Sequence, residues 1–261
     1  MDRKEFDNLQ DIPKITVITV VYNAVNKIEE TILSVINQDY ENLEYIIIDG
    51  GSNDGTVEII KKYTDKIAFW SSSKDSGIYN AMNKGIQKST GNYINFMNAG
   101  DRYVDENVIS AIFKNEDNIY FDVLYGNSIL EKSNKTQIKQ PVIKSVSELW
   151  KGPVFRHGAM FTKLKIHKKF PFKVEDRYKI CADFDFIYSI YLNGFIMKHV
   201  NIEFIVFEED GISNNAIKNL QYNRMILLSY KHSFYQNIVS LFRTIIYSIY
   251  IVFLNFKNRN R

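Results

Sequence analysis

The chain has 261 residues, of which 45% are hydrophobic and 24% charged, and a formal net charge of +3. That composition supports a sizeable core, in one large α/β domain or one domain with an appendage, and excludes a globally disordered chain. A single cysteine, Cys181, excludes an internal disulfide framework and a cysteine-rich zinc site, and fits a reducing, cytoplasmic location.

The opening stretch MDRKEFDNLQDIPK is charged and lacks the apolar run of a signal peptide. The β-branched run KITVITVVYN (14–23) reads as a buried strand. In 26–38, Ile28, Ile32, Val35 and Ile36 form one helical stripe. NLEYIIIDGG (42–51) is a second buried strand, and its unbroken apolar run suits a parallel sheet covered on both faces. A helix over 56–66, a short strand in IAFWSSS, a helix over 76–90 and a strand in GNYINFMNAG follow. Strand and helix thus alternate four times in about 100 residues, the signature of a doubly wound, mostly parallel sheet with helices on both faces.

After Asp101 the regularity falls. ENVISAIF reads as a helix and FDVLYGNSILE as a strand, and a looser stretch then holds Trp150, Pro153 and His157. ADFDFIYSIYLNG (182–194) reads as a helix with two Asp in its first turn and Gly194 at its end. A strand from Phe195, a helix near 214–230 and an apolar tail complete the chain. No repeat or long linker marks a domain boundary.

In an open parallel sheet, ligands bind beyond the carboxyl ends of the strands. Here those ends are Tyr22–Asn23, DGGSNDGT (49–56), Asp75 and NAGD (98–101). Asp49 and Asp54 argue against a plain phosphate cradle and fit hydrogen bonding to a ribose or base edge. Neither GxxxxGK[ST] nor GxGxxG nor GxSxG is present, which leaves out a P-loop, a dinucleotide fingerprint and a hydrolase elbow.

The pieces ITVITVVYN, QDYENLEYIIIDGGSNDGTVEII, KDSGIYNAMNKGIQKSTGNYINFMNAGD and HGAMF…YKICADFDF together resemble a family 2 glycosyltransferase of the GT-A fold. The bacterial branch that builds O-antigen, capsule and exopolysaccharide is the most similar. The resemblance is dense over 14–104, thinner to about 213 and general beyond. It implies one transferase domain over 1–230, with a nucleotide-binding half (14–104), an acceptor-binding half (105–213) and a helical tail over 231–261. It also implies a nucleotide-sugar donor, with a UDP-sugar the leading expectation, Mg²⁺ or Mn²⁺ on the diphosphate, and inversion at the anomeric carbon. The expected acceptor is a lipid-linked saccharide at the inner face of the cell membrane.

Carried over residue by residue, the resemblance places Tyr22, Asn23, Asp49 and Asp75 at the nucleotide, with Asn83 and Asn98 on the donor side. Asp101 becomes the metal ligand and Asp183 the catalytic base. The chemistry explains the types. A hard cation neutralises the departing diphosphate, and an acceptor hydroxyl of high pKa needs a base within hydrogen-bond reach. Relatives commonly carry DADD or NSDD where this chain has NAGD, so Asp101 stands without a second acid. Asp185 points about 200° away from Asp183 around a helix and is structural, or a supporting group near acceptor or diphosphate. His157 is a candidate for the same place, and Arg156 could equally touch phosphate. A turn role for Asp101, helix-terminal roles for the acid pair and a packing role for His157 are the simpler alternatives.

After Asp210 there is no Asp or Glu and there are seven Lys or Arg, whereas the first 210 residues carry −4. The uncharged run Thr244 to Phe256 is too short for a span of about 20 residues, and extending it back to Asn237 makes a marginal span only by including Arg243. An in-plane helix with basic ends suits an anionic membrane surface, a helix packed on the domain is the alternative, and nucleic acid is not expected. The competing functional reading is a catalytically silent domain of this type that binds a nucleotide-sugar or a partner enzyme.

Overall fold

A computed structural model describes residues 12–208 and 216–230, together with the helical positions 236, 238, 239, 241, 242, 245, 246, 248 and 249. Apart from those positions, the tail expected over 231–261 lies outside the described residues.

The strands are β1 (Ile15–Val21), β2 (Leu43–Asp49), β3 (Phe69–Ser72), β4 (Tyr93–Phe96), β5 (Arg102–Tyr103), β6 (Val123–Glu131), β7 (Gln137–Gln140), β8 (Met160–Lys163) and β9 (Met197–Glu208). The helices are α1 (Ile28–Ile36), α2 (Thr56–Lys61), α3 (Ile78–Lys88), α4 (Val108–Phe113), α5 (Leu164–Lys169), α6 (Ala182–Leu192) and α7 (Ala216–Ser229). They build one nine-stranded sheet in the order β3-β2-β1-β4-β8-β6-β9-β5, with β7 beside β6.

The first four strands are parallel, as their apolar runs predict. The second half is mixed. β8 runs antiparallel to β4 and β6, β6 is parallel to β9, and the two-residue β5 pairs antiparallel with β9. Seven of seven β1 residues are buried, because helices cover both faces. Alternation along the strand splits the core in two. Ile18 and Val20 face α3 and α6, while Ile15, Val17 and Val21 face α1 and α4. Each such side chain contributes about 1.5–3 kcal/mol by leaving water.

Close approach has a sequence signature. A Cβ on Gly85 of α3 would lie 2.6 Å from Cγ2 of Ile18, so only glycine lets that helix sit on β1. At the edge away from the strand ends, Glu44 is buried. It accepts hydrogen bonds from Thr16 Oγ1 (2.6 Å), Thr90 N (2.8 Å), Thr90 Oγ1 (2.5 Å) and Lys14 Nζ (2.9 Å). Burial works against its charge, and these donors overcome it and hold the carboxyl down at about 2.

Candidate active site

The carboxyl ends of β1 to β4 open onto one edge. There Asn23 adopts φ 48°, a left-handed conformation that Asn tolerates. Its N–H donates to Ser52 Oγ (2.7 Å), and its Oδ1 accepts from Asn53 N (3.0 Å). Asp54 accepts from Val25 N (3.0 Å) and from Thr56 N and Oγ1 (3.0 and 2.6 Å). The loop after β1 is thus zipped to the DGGSNDGT loop. Tyr22, 65% exposed at the mouth, leaves an aromatic face in solvent. A Cβ placed on Gly50 would lie 3.0 Å from Asp75 Oδ2 and 3.4 Å from Tyr22 Cδ2, so these three share one depression. Asp75 is held by Gly77 N, which donates to its Oδ1 at 2.8 Å.

Two expected donor-side residues, Asp49 and Asn83, turn inward, and Asp185 takes the structural place that the sequence also allowed it. Asp49 is fully buried and accepts four bonds, from Gly51 N, Ser52 N, Ser72 Oγ and Ser52 Oγ (3.0, 2.9, 2.6 and 2.5 Å). Asn83 clips the backbone of Phe172, donating to its O (2.8 Å) and accepting from its N (3.0 Å). Asp185 is buried in an ion pair with Lys173 (2.9 Å) and accepts from Tyr230 (3.0 Å). Each shapes the pocket's frame and has its hydrogen bonds satisfied within the protein.

The NAGD turn lies beside α1. Thr31 Oγ1 donates to Asp101 O (2.8 Å) and accepts from Gly100 N (3.0 Å). Gly100 takes φ +100°, which admits glycine at little cost. Next in the chain, Arg102 is anchored to Glu131 (2.8 Å) and Glu30 (3.0 Å). The backbone of Asp101 is therefore held, yet among the described residues no group donates a hydrogen bond to its carboxylate. Its withdrawal from solvent pushes it up to about 7; Arg156 and Lys27 pull it down, and Glu208 pushes it up. On the same turn Asn98 Oδ1 is buried and has no partner among the described residues. Carboxylate and amide oxygens on one turn are donors of the hard type that Mg²⁺ or Mn²⁺ takes. Among the described residues no group of three or more His, Cys, Asp and Glu is assembled to hold a metal, and Glu208, the other carboxylate beside this turn, is paired with Lys27.

Asp183 stands in the first turn of α6, where acids complement the positive end of the helix dipole. Its Oδ1 accepts from Tyr79 Oη (2.9 Å) and from Phe184 N (2.8 Å). Its Oδ2 has no partner among the described residues. Tyr79 is pushed well above its ordinary pKa by burial and by Asp183, so it remains a donor. His157 is buried and stacks on Phe96 with centroids 5.0 Å apart, and its Nε2 has no partner among the described residues. Burial pushes its pKa down and Asp183 opposes the shift.

The described geometry thus groups Tyr22, Asn23 and Asp75 on one side, with Asn98, Asp101, His157 and Asp183 on the other. Sequence reasoning missed Tyr79 and the pair Lys27–Glu208 beside Gly100. Tyr79 lies inside the SGIYNAMNKG motif, three residues into which its phenol is one of few polar groups. Nothing in the local sequence signals Lys27–Glu208, whose members lie 181 positions apart.

Residues 16–176 match the family described as Glycosyl transferase family 2. That is more than half of the chain, and the chain belongs to this family. The putative teichuronic acid biosynthesis glycosyltransferase TuaG of Bacillus subtilis is 35% identical over 94 residues, covering 35% of this chain and 37% of that protein. The chain spans less than half the length of the curated relatives it matches. Among solved structures, S. aureus TarS 1-349 in complex with UDP-GlcNAc superposes with a TM-score of 0.67 at 16% identity, over 89% of this chain and 71% of that one. The mannosyltransferase PcManGT from Pyrobaculum calidifontis, in complex with GDP-Man and Mn²⁺, gives 0.67 at 15% identity, over 90% and 70%. These likenesses identify the fold as GT-A.

Proposed function

We propose that the chain is an inverting, metal-dependent glycosyltransferase that moves a hexose from a nucleotide-sugar to a lipid-linked saccharide in cell-surface polysaccharide synthesis. The observation that carries this reading is Asp183, oriented through Oδ1 by Tyr79 with its Oδ2 unpartnered among the described residues, at the edge that also holds Asp101. A bystander acid would have both oxygens satisfied, as Asp185 does.

The residues divide the work. Tyr22 offers a face on which a base can stack, and Asp75 a carboxylate for the polar edge of base or ribose. Asp101 and Asn98 would hold the divalent ion, which supplies positive charge to the diphosphate as it departs. Asp183 Oδ2 takes the proton of the acceptor hydroxyl as that oxygen attacks the anomeric carbon. Attack from the side opposite the leaving group inverts the centre. On this reading 14–104 supplies the donor half and 105–213 the acceptor half.

A UDP-sugar is the first donor to test, since TarS is described with UDP-GlcNAc, while PcManGT is described with GDP-Man. The name of the Bacillus relative supports a cell-surface polysaccharide product. For the acceptor's location, the described tail positions Ile238, Leu241, Phe242, Ile245, Ile246 and Ile249 are all exposed and recur at helical spacing. Among the described residues no helix is long and apolar enough to cross a membrane. Attachment in the plane of the inner leaflet is the arrangement these residues favour.

The test is a panel of UDP-, GDP- and dTDP-sugars with Mg²⁺ or Mn²⁺, read by binding and by release of the nucleoside diphosphate. Binding and release with at least one donor is expected. No binding and no release with any would overturn the reading, and binding with no turnover on any acceptor would favour the silent domain.

A further inference from the structure

Asp185 shares the first turn of α6 with Asp183 and points about 200° away around the helix axis. It is buried, and both of its oxygens are engaged. Lys173 Nζ donates to Oδ2 (2.9 Å) and to Oδ1 (3.2 Å), and Tyr230 Oη donates to Oδ1 (3.0 Å). Lys173 is itself held. It donates to Tyr178 Oη (3.2 Å) and lies 4.7 Å and 6.0 Å from the ring centroids of Tyr178 and Tyr230. Asp185 N donates to Cys181 O (3.0 Å), so this carboxylate is grasped where the hydrogen-bonded ladder of α6 begins.

Tyr230 comes from outside the residues 16–176 that match the family. It directly follows α7, and its N–H donates to Leu227 O (3.3 Å). Ile226 and Leu227 anchor that end of α7 in the same core as Phe184 and Tyr188, and the Tyr230 ring meets the Tyr188 ring edge-on at 5.3 Å. Burial pushes the phenol up to about 12, so it stays a donor. The turn that carries Asp183 is therefore gripped from two sides. Tyr79 holds Asp183 Oδ1 on one side (2.9 Å), and Tyr230 with Lys173 holds Asp185 on the other. The first grip alone leaves α6 free to roll about its axis. A roll of about 10° moves a carboxylate ~5 Å from the axis by about 1 Å, and a misplacement of that size costs on the order of a hundredfold in rate.

We infer that Tyr230 is a positioning residue for the transfer: through Asp185 it fixes the roll of α6 and so the aim of Asp183 Oδ2. This rests on the reading above, in which Asp183 is the base. The bond from Tyr230 ends on Asp185, so it acts without touching donor or acceptor. Lys173 alone answers the charge of Asp185, and a buried ion pair adds little net stability. What the phenol adds is direction, because it ties α6 to a second element with its own seat in the core. The helix α7, in the stretch where the resemblance is only general, thereby belongs to the catalytic unit.

The experiment compares wild-type, Tyr230→Phe and Ile226→Val chains, and Asp183→Asn with and without Tyr230→Phe. It reads the release of nucleoside diphosphate from whichever UDP-, GDP- or dTDP-sugar wild type turns over with Mn²⁺, water serving as acceptor. Calorimetric affinity for the matching diphosphate and the melting temperature are read beside it. Tyr230→Phe should lower kcat about fivefold or more, with donor KM and diphosphate affinity changed by less than about twofold. Ile226→Val loosens the same buried seat and leaves the hydrogen bond in place. It should lower the melting temperature and change kcat by less than about twofold. In Asp183→Asn the residual rate should not respond to Tyr230→Phe, since the base through which it acts is gone. A smaller loss of kcat in Tyr230→Phe, an equal loss in Ile226→Val, or the same loss in the Asp183→Asn background would overturn the assignment. If wild type turns over none of the sugars, the nucleotide-sugar reading fails, and the Tyr230 assignment with it.

Discussion

The phenol of Tyr79 donates a 2.9 Å hydrogen bond to Oδ1 of Asp183. The same oxygen accepts from Phe184 N, so the carboxylate is clamped through one oxygen and presents the other. Tyr79→Phe removes only the phenol and keeps the buried ring against Phe172, whose centroid is 5.5 Å away. A hydrogen bond to a charged group is worth about 1.5–3 kcal/mol, so kcat should fall roughly 10- to 100-fold with the donor KM little changed. Asp183→Asn should fall further. Steady-state rates decide it, and an unchanged kcat in Tyr79→Phe would remove the clamp from the mechanism.

Asp101 gives a pH-dependent prediction. Its folded-state pKa is about 7 against an ordinary 3.8, mainly through withdrawal from water. A raised pKa means stability that is present at low pH and lost as pH rises toward 7 and the carboxyl ionises in place. Asp101→Asn, neutral at every pH, should therefore melt about 3 °C or more above wild type at pH 8 in EDTA, and equal to it near pH 4. A gain of the same size at both pH values would show that charge is not the cause.

The frame that positions these groups was legible in the first 104 residues, because parallel strands covered on both faces must be apolar runs. β8 was not legible. Its four residues MFTK carry no alternation, and its place between β4 and β6 is fixed by long-range pairing. Among the site residues, residue type could not say which way a carboxylate turns. Asp49 and Asp101 both stand at the ends of apolar strands, yet Asp49 accepts four hydrogen bonds, from its own loop and from Ser72 of β3, and Asp101 accepts none at its side chain among the described residues. Only the packing of Ser72 and the turn at Gly51 and Ser52 decides that difference. Asn83, three residues beyond Asn80 in the same motif, was legible as polar but not as a clip on Phe172.

Glu44 carries the opposite sign. Its folded pKa is lowered to about 2 by hydrogen bonds from Thr16, Thr90 and Lys14, against the pull of burial. A lowered pKa gives stability that is present above the ordinary value of 4.5 and lost as pH falls toward 2. Glu44→Gln should destabilise by about 2 kcal/mol at pH 7, and the gap to wild type should narrow below pH 4.5 and close as pH falls to about 2. Urea midpoints at the two pH values measure it, and a constant gap would mean that shape rather than charge is lost.

The exposed apolar positions of the tail give a prediction about location. Phe242 (60%), Ile246 (66%) and Ile249 (64%) leave large apolar surfaces in water, and the chain after Asp210 carries seven basic residues and no acidic one. Isolated exposed residues are ordinary, but a recurrent stripe flanked by cations suits a surface that is apolar inside and anionic outside. The whole chain should float with vesicles containing phosphatidylglycerol, and less so at high salt, because part of the attraction is screened charge. A chain ending at Tyr235 should stay with the soluble fraction while keeping donor binding. Substituting Phe242 and Ile246 by Glu should reduce flotation in the full-length chain without changing its melting temperature. Equal flotation of all three would mean that the domain itself, or nothing specific, holds the vesicle. A lowered melting temperature in the Glu variant would instead place those side chains against the protein.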